Sequence, residues 1–233
     1  MDNQTLKNVF NQNTADNYDR QRDKLAPIKE ALHLCMHVLL SDLPATARVL
    51  CVGAGTGSEL IYLAQAFPQW HFTIVEPSKS MIDVCTQRTK ELGIHSRCTF
   101  HQGYLESLSE SAAFDVATSI LVSHFITDVV ERGEFFTQIS SKLKMGAYMI
   151  NADLASDMSS KEYKNLLQVW LNLHDYAGMT IRVKSFGSKI ALLPHQDVAS
   201  IIKASGFDNP VLFFQTVFIH AWFSKVNANK QHD

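Results

Sequence analysis

Three alternating glycines, Gly53, Gly55 and Gly57, are the part of the chain best suited to bind a ligand. They follow an apolar run at 48–52 and precede a helical pattern, so a strand leads through them into a helix. Glycine permits positive φ and close approach to the backbone, and the N–H groups that begin a helix attract polar or anionic groups. Glu76 ends the next strand, about where a βαβ unit places a carboxylate against ribose hydroxyls. The segment is predicted to bind a molecule that carries a nucleoside.

The spacing of these glycines separates two kinds of nucleoside ligand. Dinucleotide-binding loops read GxGxxG, in which the third glycine packs the helix against the strand. This chain reads GxGxG, and position 58 is serine. The spacing favours another ligand over a dinucleotide, and an NAD-dependent oxidoreductase stays an alternative.

The elements around the loop alternate between strands and helices, which indicates βαβ units and a parallel sheet. Two final apolar runs, 211–214 and 217–223, are joined by Gln215 and Thr216 alone. A two-residue connection is too short for a parallel crossover, so these strands are predicted to be antiparallel. The other predicted strands are 48–52, 72–75, 98–101, 114–120 and 147–150, and the predicted helices are 28–43, 59–67, 79–92, 131–143 and 195–204.

The alternation of strands and helices also predicts how the chain is divided into a cap, a domain and an insertion. Residues 1–44 are predicted to form an N-terminal helical cap, and residues 45–225 to form the sheet domain. The alternation of strands and helices is interrupted at 154–193, and this segment is predicted to be a lid-like insertion over the sheet edge. A polar tail at 226–233 follows.

Composition restricts the class of protein. The chain has 233 residues with a net charge of −2, so it has no basic surplus with which to bind a nucleic acid. No apolar run reaches the roughly 20 residues that a membrane span needs, and the polar N-terminus does not resemble a signal peptide. The four cysteines lack zinc-like spacing and are expected to be free thiols. A cytoplasmic protein without a metal site and without membrane contact is expected.

These motifs together resemble the class I S-adenosylmethionine (SAM)-dependent methyltransferase family over roughly residues 45–225. The resemblance implies an α/β, Rossmann-like fold: a seven-stranded, mostly parallel sheet with helices on both faces. In this family the last strand is antiparallel and inserts between strands five and six, which fits the short connection at 215–216. The resemblance implies SAM as the cofactor.

The resemblance also assigns residues to the cofactor. The glycine loop resembles motif I, which contacts the methionine part of SAM, and Glu76 resembles the acid that binds the ribose. Segment 100–105 resembles the stretch beside the adenine, and 114–119 resembles motif IV beneath the methyl group. The residues so implied are Tyr18, Gly53, Ala54, Gly55, Glu76, Pro77, Met81, Gly103, Tyr104, Leu105 and Ser119.

Three positions depart from the family pattern. Motif I commonly begins with an acid where this chain has Cys51, so one polar contact to the cofactor's amino group is missing. Tyr104 replaces the acid on the adenine side, where it could stack on the ring. Met145 replaces the proline of the turn before strand five.

His124 follows the motif IV strand and is the candidate catalytic residue, since relatives place a histidine near the acceptor there. The alternative interpretation is a packed histidine. Asp153 is interpreted as facing the acceptor or as a helix cap. Further candidates lie in the insertion: His174, Asp175 and Tyr176, and also Arg182 and Lys184, which alternate as in a strand.

The predicted activity is methyl transfer from SAM to O or N of a small molecule. Three alternatives stay open: a carboxy-SAM synthase-like enzyme of tRNA modification, the NAD-dependent oxidoreductase, and a non-catalytic methyltransferase-like partner protein. The aromatic run 213–223 is predicted to lie in the core of the sheet. The other faces of its strands would also support a homodimer contact.

Overall fold

A single sheet organises the part of the chain that the computed structural model describes, residues 23–181 and 183–227. Tyr18 and Arg182 lie outside the described residues. The strands are β1 (Arg48–Val52), β2 (His71–Glu76), β3 (Cys98–Gln102), β4 (Phe114–Ile120), β5 (Leu143–Leu154), β6 (Val211–Thr216) and β7 (Ile219–Lys225).

Helices cover both faces of this sheet. Those of one face bury Met36, Leu60 and Cys85 against β1 residues such as Cys51. Those of the other face bury Phe136 and Val198 among other apolar side chains. The helices are α1 (Ala26–Leu40), α2 (Ser58–Ala66), α3 (Lys79–Glu91), α4 (Val129–Lys142), α5 (Tyr163–Ala177) and α6 (His195–Ala204).

The strand order is β3-β2-β1-β4-β5-β7-β6. β1 to β5 pair in parallel, whereas β7 is antiparallel to both β5 and β6. The predicted fold class is confirmed, including the reversed last strand beside β5. A short hairpin can produce this order because it reverses the chain without a crossover helix.

The turn of that hairpin lies at Val217 and Phe218, so the predicted turn at 215–216 is wrong by two residues. Phe218 is fully buried and packs against Tyr163, Trp170 and Phe186. Its apolar character reflects this packing and not a place in a strand. Val217 has a φ of 49°, which is unfavourable for a β-branched residue.

The insertion at 154–193 packs at the carboxyl edge of the sheet. Its buried cluster contains Trp170 and Leu192 together with Phe218 of the hairpin turn. The predicted strand-like alternation at 181–184 is wrong, because Val183–Ser185 is a turn of 3₁₀ helix. A four-residue alternation forms a strand only when a neighbouring strand pairs with it.

Arg97 links the end of α2 to the start of β3 through hydrogen bonds. Its guanidinium donates to the carbonyl oxygens of Ala64 at 2.8 Å, Trp70 at 3.0 Å and Phe67 at 3.3 Å. The cation therefore satisfies carbonyls at a helix C-terminus, where positive charge is favourable.

We expect Arg97→Met to lower the free energy of unfolding by about 1–3 kcal/mol, because charge-assisted bonds are lost while the apolar stem stays. Urea denaturation measures this. Lys90→Met, which removes the same charge from an exposed position of α3, is the control and should change the unfolding free energy little. Equal losses in both variants would contradict the assignment.

Candidate functional site

The carboxyl ends of β1 and β4 meet at the place where the strand order reverses. From β1 the chain proceeds to β2 and β3 on one side, and β4 and β5 lie on the other. In an open α/β sheet the crevice outside this point is where ligands bind. The glycine loop after β1 and the loop after β4 therefore border the candidate site.

The glycine loop is packed at both ends and open in the middle. All three glycines have positive φ: 68° at Gly53, 54° at Gly55 and 81° at Gly57. A Cβ at Gly53 would lie 2.6 Å from Val122 Cγ2, and one at Gly57 would lie 2.5 Å from Cys85 Sγ. A Cβ at Gly55 would meet nothing within 4 Å. The open side of the Gly55 backbone is thus the face that a ligand can approach.

The carboxylate of Glu76 connects this loop to the next βα turn. Its Oε2 accepts the N–H of Gly55 and its Oε1 accepts the N–H of Ser78, both at 2.9 Å. Glu76 is 7% exposed, and burial raises the pKa of its carboxyl group in spite of these bonds. Each oxygen keeps a further lone pair, so the group can still accept hydroxyls of a ribose.

The predicted adenine-side residues lie next to Glu76. The N–H of Gly103 donates to the Glu76 carbonyl oxygen at 3.2 Å, which joins the ends of β2 and β3. Burial raises the pKa of the Tyr104 hydroxyl, and the negative charges of Glu76 and Glu106 raise it further. Of the other predicted cofactor residues, Ala54, Met81 and Leu105 are buried and Pro77 is half-buried.

Polar atoms without a partner lie beneath the site, between β4 and β5. Ser119 is fully buried and pairs in register with Asn151. The Ser119 Oγ and the Asn151 Oδ1 have no hydrogen-bond partner, and neither has Nη1 of the buried Arg132 on α4. Buried polar atoms of this kind require a partner such as an ordered water or a ligand.

Asp153, the residue that was interpreted as facing the acceptor or capping a helix, is the centre of a buried cluster. Its Oδ1 accepts the backbone N–H of His124 at 2.9 Å and lies 2.8 Å from His124 Nδ1. Its Oδ2 accepts from Ser123 Oγ, and from Arg132 Nη2 and Asn151 Nδ2 at 3.0 Å each. Asp153 therefore caps the 3₁₀ turn Ser123–Phe125, which lies on the loop after β4, and it does not cap a helix that follows β5.

His124 lies between the glycine loop and the insertion. Val122, two residues before it, covers Gly53. The carbonyl oxygen of His124 accepts the N–H of Ala191 at 2.7 Å. Leu121, at the start of this loop, has a φ of 60° and packs beside the cluster of the insertion. Strained backbone at such a junction is typical of a functional site.

The other sequence candidates do not join this cluster. His174 is buried, and its Nδ1 bonds to the carbonyl oxygen of Trp170. Tyr176 is largely exposed, with its carbonyl oxygen bound by Lys24. Sequence reasoning missed Arg132, because a single arginine in the first turn of a helix resembles a solvated residue.

Residues 49–146 match the model of a protein family described as a methyltransferase domain. Over this segment, which is less than half of the chain, the protein is similar to methyltransferases. S-adenosylmethionine is the cofactor of the class I methyltransferases that the sequence resembles. The residues present fit it, since the open backbone at Gly55 and the carboxylate of Glu76 lie on one crevice.

Curated relatives and solved structures align with most of this chain. A carboxy-S-adenosyl-L-methionine synthase of Campylobacter jejuni is 22% identical over 208 residues, which cover 85% of each chain. An O-methyltransferase family protein of Burkholderia thailandensis aligns with a TM-score of 0.64 at 16% identity, over 95% of this chain and 64% of that one. A SAM-dependent methyltransferase of Methanosarcina mazei gives 0.61 at 15% identity, over 82% and 97%. The structures share the fold.

The described residues contain neither a candidate metal cluster nor a membrane-spanning helix. No group of three or more histidine, cysteine, aspartate or glutamate residues in them is arranged to hold a metal ion. Nor does any helix within 23–181 or 183–227 have the length and apolar character to cross a membrane.

We expect Gly55→Ala to weaken SAM binding at least about tenfold, since a methyl group there would occupy the face that the cofactor approaches. Isothermal titration measures this. Gly93→Ala is the matched control: Gly93 also has positive φ, at 70°, and open space around it, but it follows α3 away from the crevice. Both variants should lose similar stability, and equal SAM affinity in both would contradict the site.

Proposed function

We propose that this chain is a class I SAM-dependent methyltransferase that transfers the methyl group of SAM to an oxygen or nitrogen atom of a small molecule. The observation that carries the proposal is the position of His124, joined to the insertion through Ala191 and adjacent to Val122, which covers the glycine loop. An acceptor bound between the loop after β4 and the insertion would lie beside the methyl group and beside a proton-accepting side chain.

The roles of the chain's residues follow from this arrangement. Bound SAM supplies an electrophilic methyl group on a sulfonium. Gly55 and Glu76 would hold and orient the cofactor, and the insertion would exclude water from the crevice. His124 would take the proton of the attacking hydroxyl or ammonium group.

The size of the acceptor is inferred from charge and packing. A net charge of −2 provides no surplus of cations for a long nucleic acid. The cluster of the insertion and the hairpin turn packs against Leu121, at the start of the loop after β4, so the insertion would close over a small acceptor more readily than over a long one.

Carboxylation of SAM is the second candidate function. The alignment with the Campylobacter jejuni synthase covers 85% of both chains. It therefore extends beyond residues 49–146, the segment that matches the methyltransferase-domain model. The two functions differ in the product: methyl transfer leaves S-adenosylhomocysteine and a methylated acceptor, whereas a synthase leaves a heavier, carboxylated cofactor. Mass spectrometry of a reaction with a cell extract from which macromolecules have been removed separates them.

We expect SAM and S-adenosylhomocysteine, and not NAD, to raise the thermal unfolding temperature of the purified chain, because only a ligand of the folded state stabilises it. Glu76→Gln should abolish most of that rise. Its amide would place an N–H₂ group against the N–H of Gly55 or Ser78, where the carboxylate now accepts both. Protection by NAD alone would favour the oxidoreductase instead.

We expect His124→Asn to lower the rate of methyl transfer about 10²–10⁴-fold, because the amide can still donate to Asp153 but cannot accept the proton. S-adenosylhomocysteine release with a macromolecule-free cell extract measures the rate, and SAM affinity should stay unchanged. The control is His220→Asn. His220 is equally buried, at 4%, and its Nδ1 bonds to the Phe218 carbonyl oxygen. A similar loss in both variants would contradict the assignment.

A further inference from the structure

The short segment 121–124, which follows β4, contacts the glycine loop and the insertion through neighbouring side chains. Val122 packs against Gly53, where a Cβ would lie 2.6 Å from Cγ2 and 3.0 Å from Cγ1 of the valine. Leu121, the preceding residue, packs against the buried cluster of the insertion. A displacement of this segment would therefore change contacts on the cofactor side and on the insertion side of the crevice.

The main chain of the segment is bonded at both ends. The N–H of Leu121 donates to the carbonyl oxygen of Ala152 on β5 at 2.6 Å, and the carbonyl oxygen of His124 accepts the N–H of Ala191 on the insertion at 2.7 Å. Leu121 has a φ of 60°, a left-handed conformation that costs free energy in a residue with a side chain. Such a conformation persists only where its surroundings hold it, so the segment depends on the insertion that packs on it.

The insertion and the hairpin turn share a buried cluster that is separate from the two clusters on the faces of the sheet. Its buried members are Leu154, Trp170, Phe186, Leu192 and Phe218. A separate cluster can open locally while the sheet stays folded. The insertion therefore has two states, one packed on Leu121 and one released from it. A ligand that favours the packed state increases its population.

We infer that Leu121 and Val122 are positioning residues that couple the binding of SAM to the packing of the insertion. SAM on the open face of Gly55 would hold the loop, and with it Gly53, against Val122, and the insertion would pack more stably on the neighbouring Leu121. The inference rests on the proposed function, because it requires SAM at the glycine loop. Coupling is reciprocal, so a packed insertion also strengthens SAM binding. SAM therefore binds first, and the acceptor binds second in a crevice that the packed insertion completes.

Hydrogen exchange of the backbone N–H of Ala191 tests the coupling without any acceptor. Saturating S-adenosylhomocysteine should slow this exchange at least about fivefold, because the packed insertion opens less often. The control is the N–H of Ala112, which donates to the Ser141 carbonyl oxygen at 3.0 Å and precedes β4 at the opposite edge of the sheet. It should be slowed less. No slowing at Ala191, or the same slowing at Ala112, would overturn the inference.

Variants of Val122 separate coupling from a merely structural role. Val122→Ala removes the γ carbons that pack on Gly53. With S-adenosylhomocysteine at saturation, the slowing at Ala191 should be lost in this variant. Val122→Thr keeps two γ atoms in the same shape and should retain the slowing. Urea denaturation checks that both variants fold. Equal slowing in Val122→Ala and in the unmodified chain would overturn the inference.

A double-mutant cycle tests the reverse direction of the coupling. Trp170→Ala removes a ring that packs on His174 and Phe218 within the insertion cluster. By isothermal titration it should weaken S-adenosylhomocysteine binding at least about fivefold, and by less when Val122→Ala is also present. Equal losses in the two backgrounds would overturn the inference. Failure of the unmodified chain to bind S-adenosylhomocysteine would contradict the proposed function and with it the inference.

Discussion

The burial of the Asp153 carboxylate is the constraint on which the site depends. A carboxylate removed from water costs several kcal/mol unless charge and hydrogen bonds compensate it. Here Arg132, Ser123, Asn151 and His124 compensate it from three elements, so the loop after β4, strand β5 and helix α4 must adopt one arrangement together. The position of His124 is a consequence of that requirement.

The glycine loop is held in place by packing and not by its own sequence alone. Val122 covers Gly53 and Cys85 covers Gly57, so the two ends of the loop are fixed against the loop after β4 and against α3. Glu76 joins the loop to β2 through the N–H of Gly55. Val122 and His124 belong to the same short segment. A shift of the Asp153 cluster would therefore also move the side chain that covers Gly53.

The departures from the family pattern have a physical context in the structure. Cys51 lies fully buried on the sheet face that α2 and α3 cover, and burial raises the pKa of its thiol well above the usual value. It therefore acts as a neutral, apolar residue where relatives carry an acid. Tyr104 follows Gly103, whose N–H donates to the Glu76 carbonyl oxygen, at the place where the family has a carboxylate.

The sequence by itself determined the alternation of strands and helices, the reversed hairpin, the glycine loop and Glu76, because hydrophobic periodicity, glycine spacing and connection length are local properties of the chain. It could not identify Arg132 or the bond between His124 and Asp153, nor place the hairpin turn at Val217 and Phe218. Those depend on which side chains meet across β4, β5, α4 and the insertion. Only the tertiary structure decided them, since the cost of burying a charge or an aromatic ring is set by neighbours that are distant in sequence.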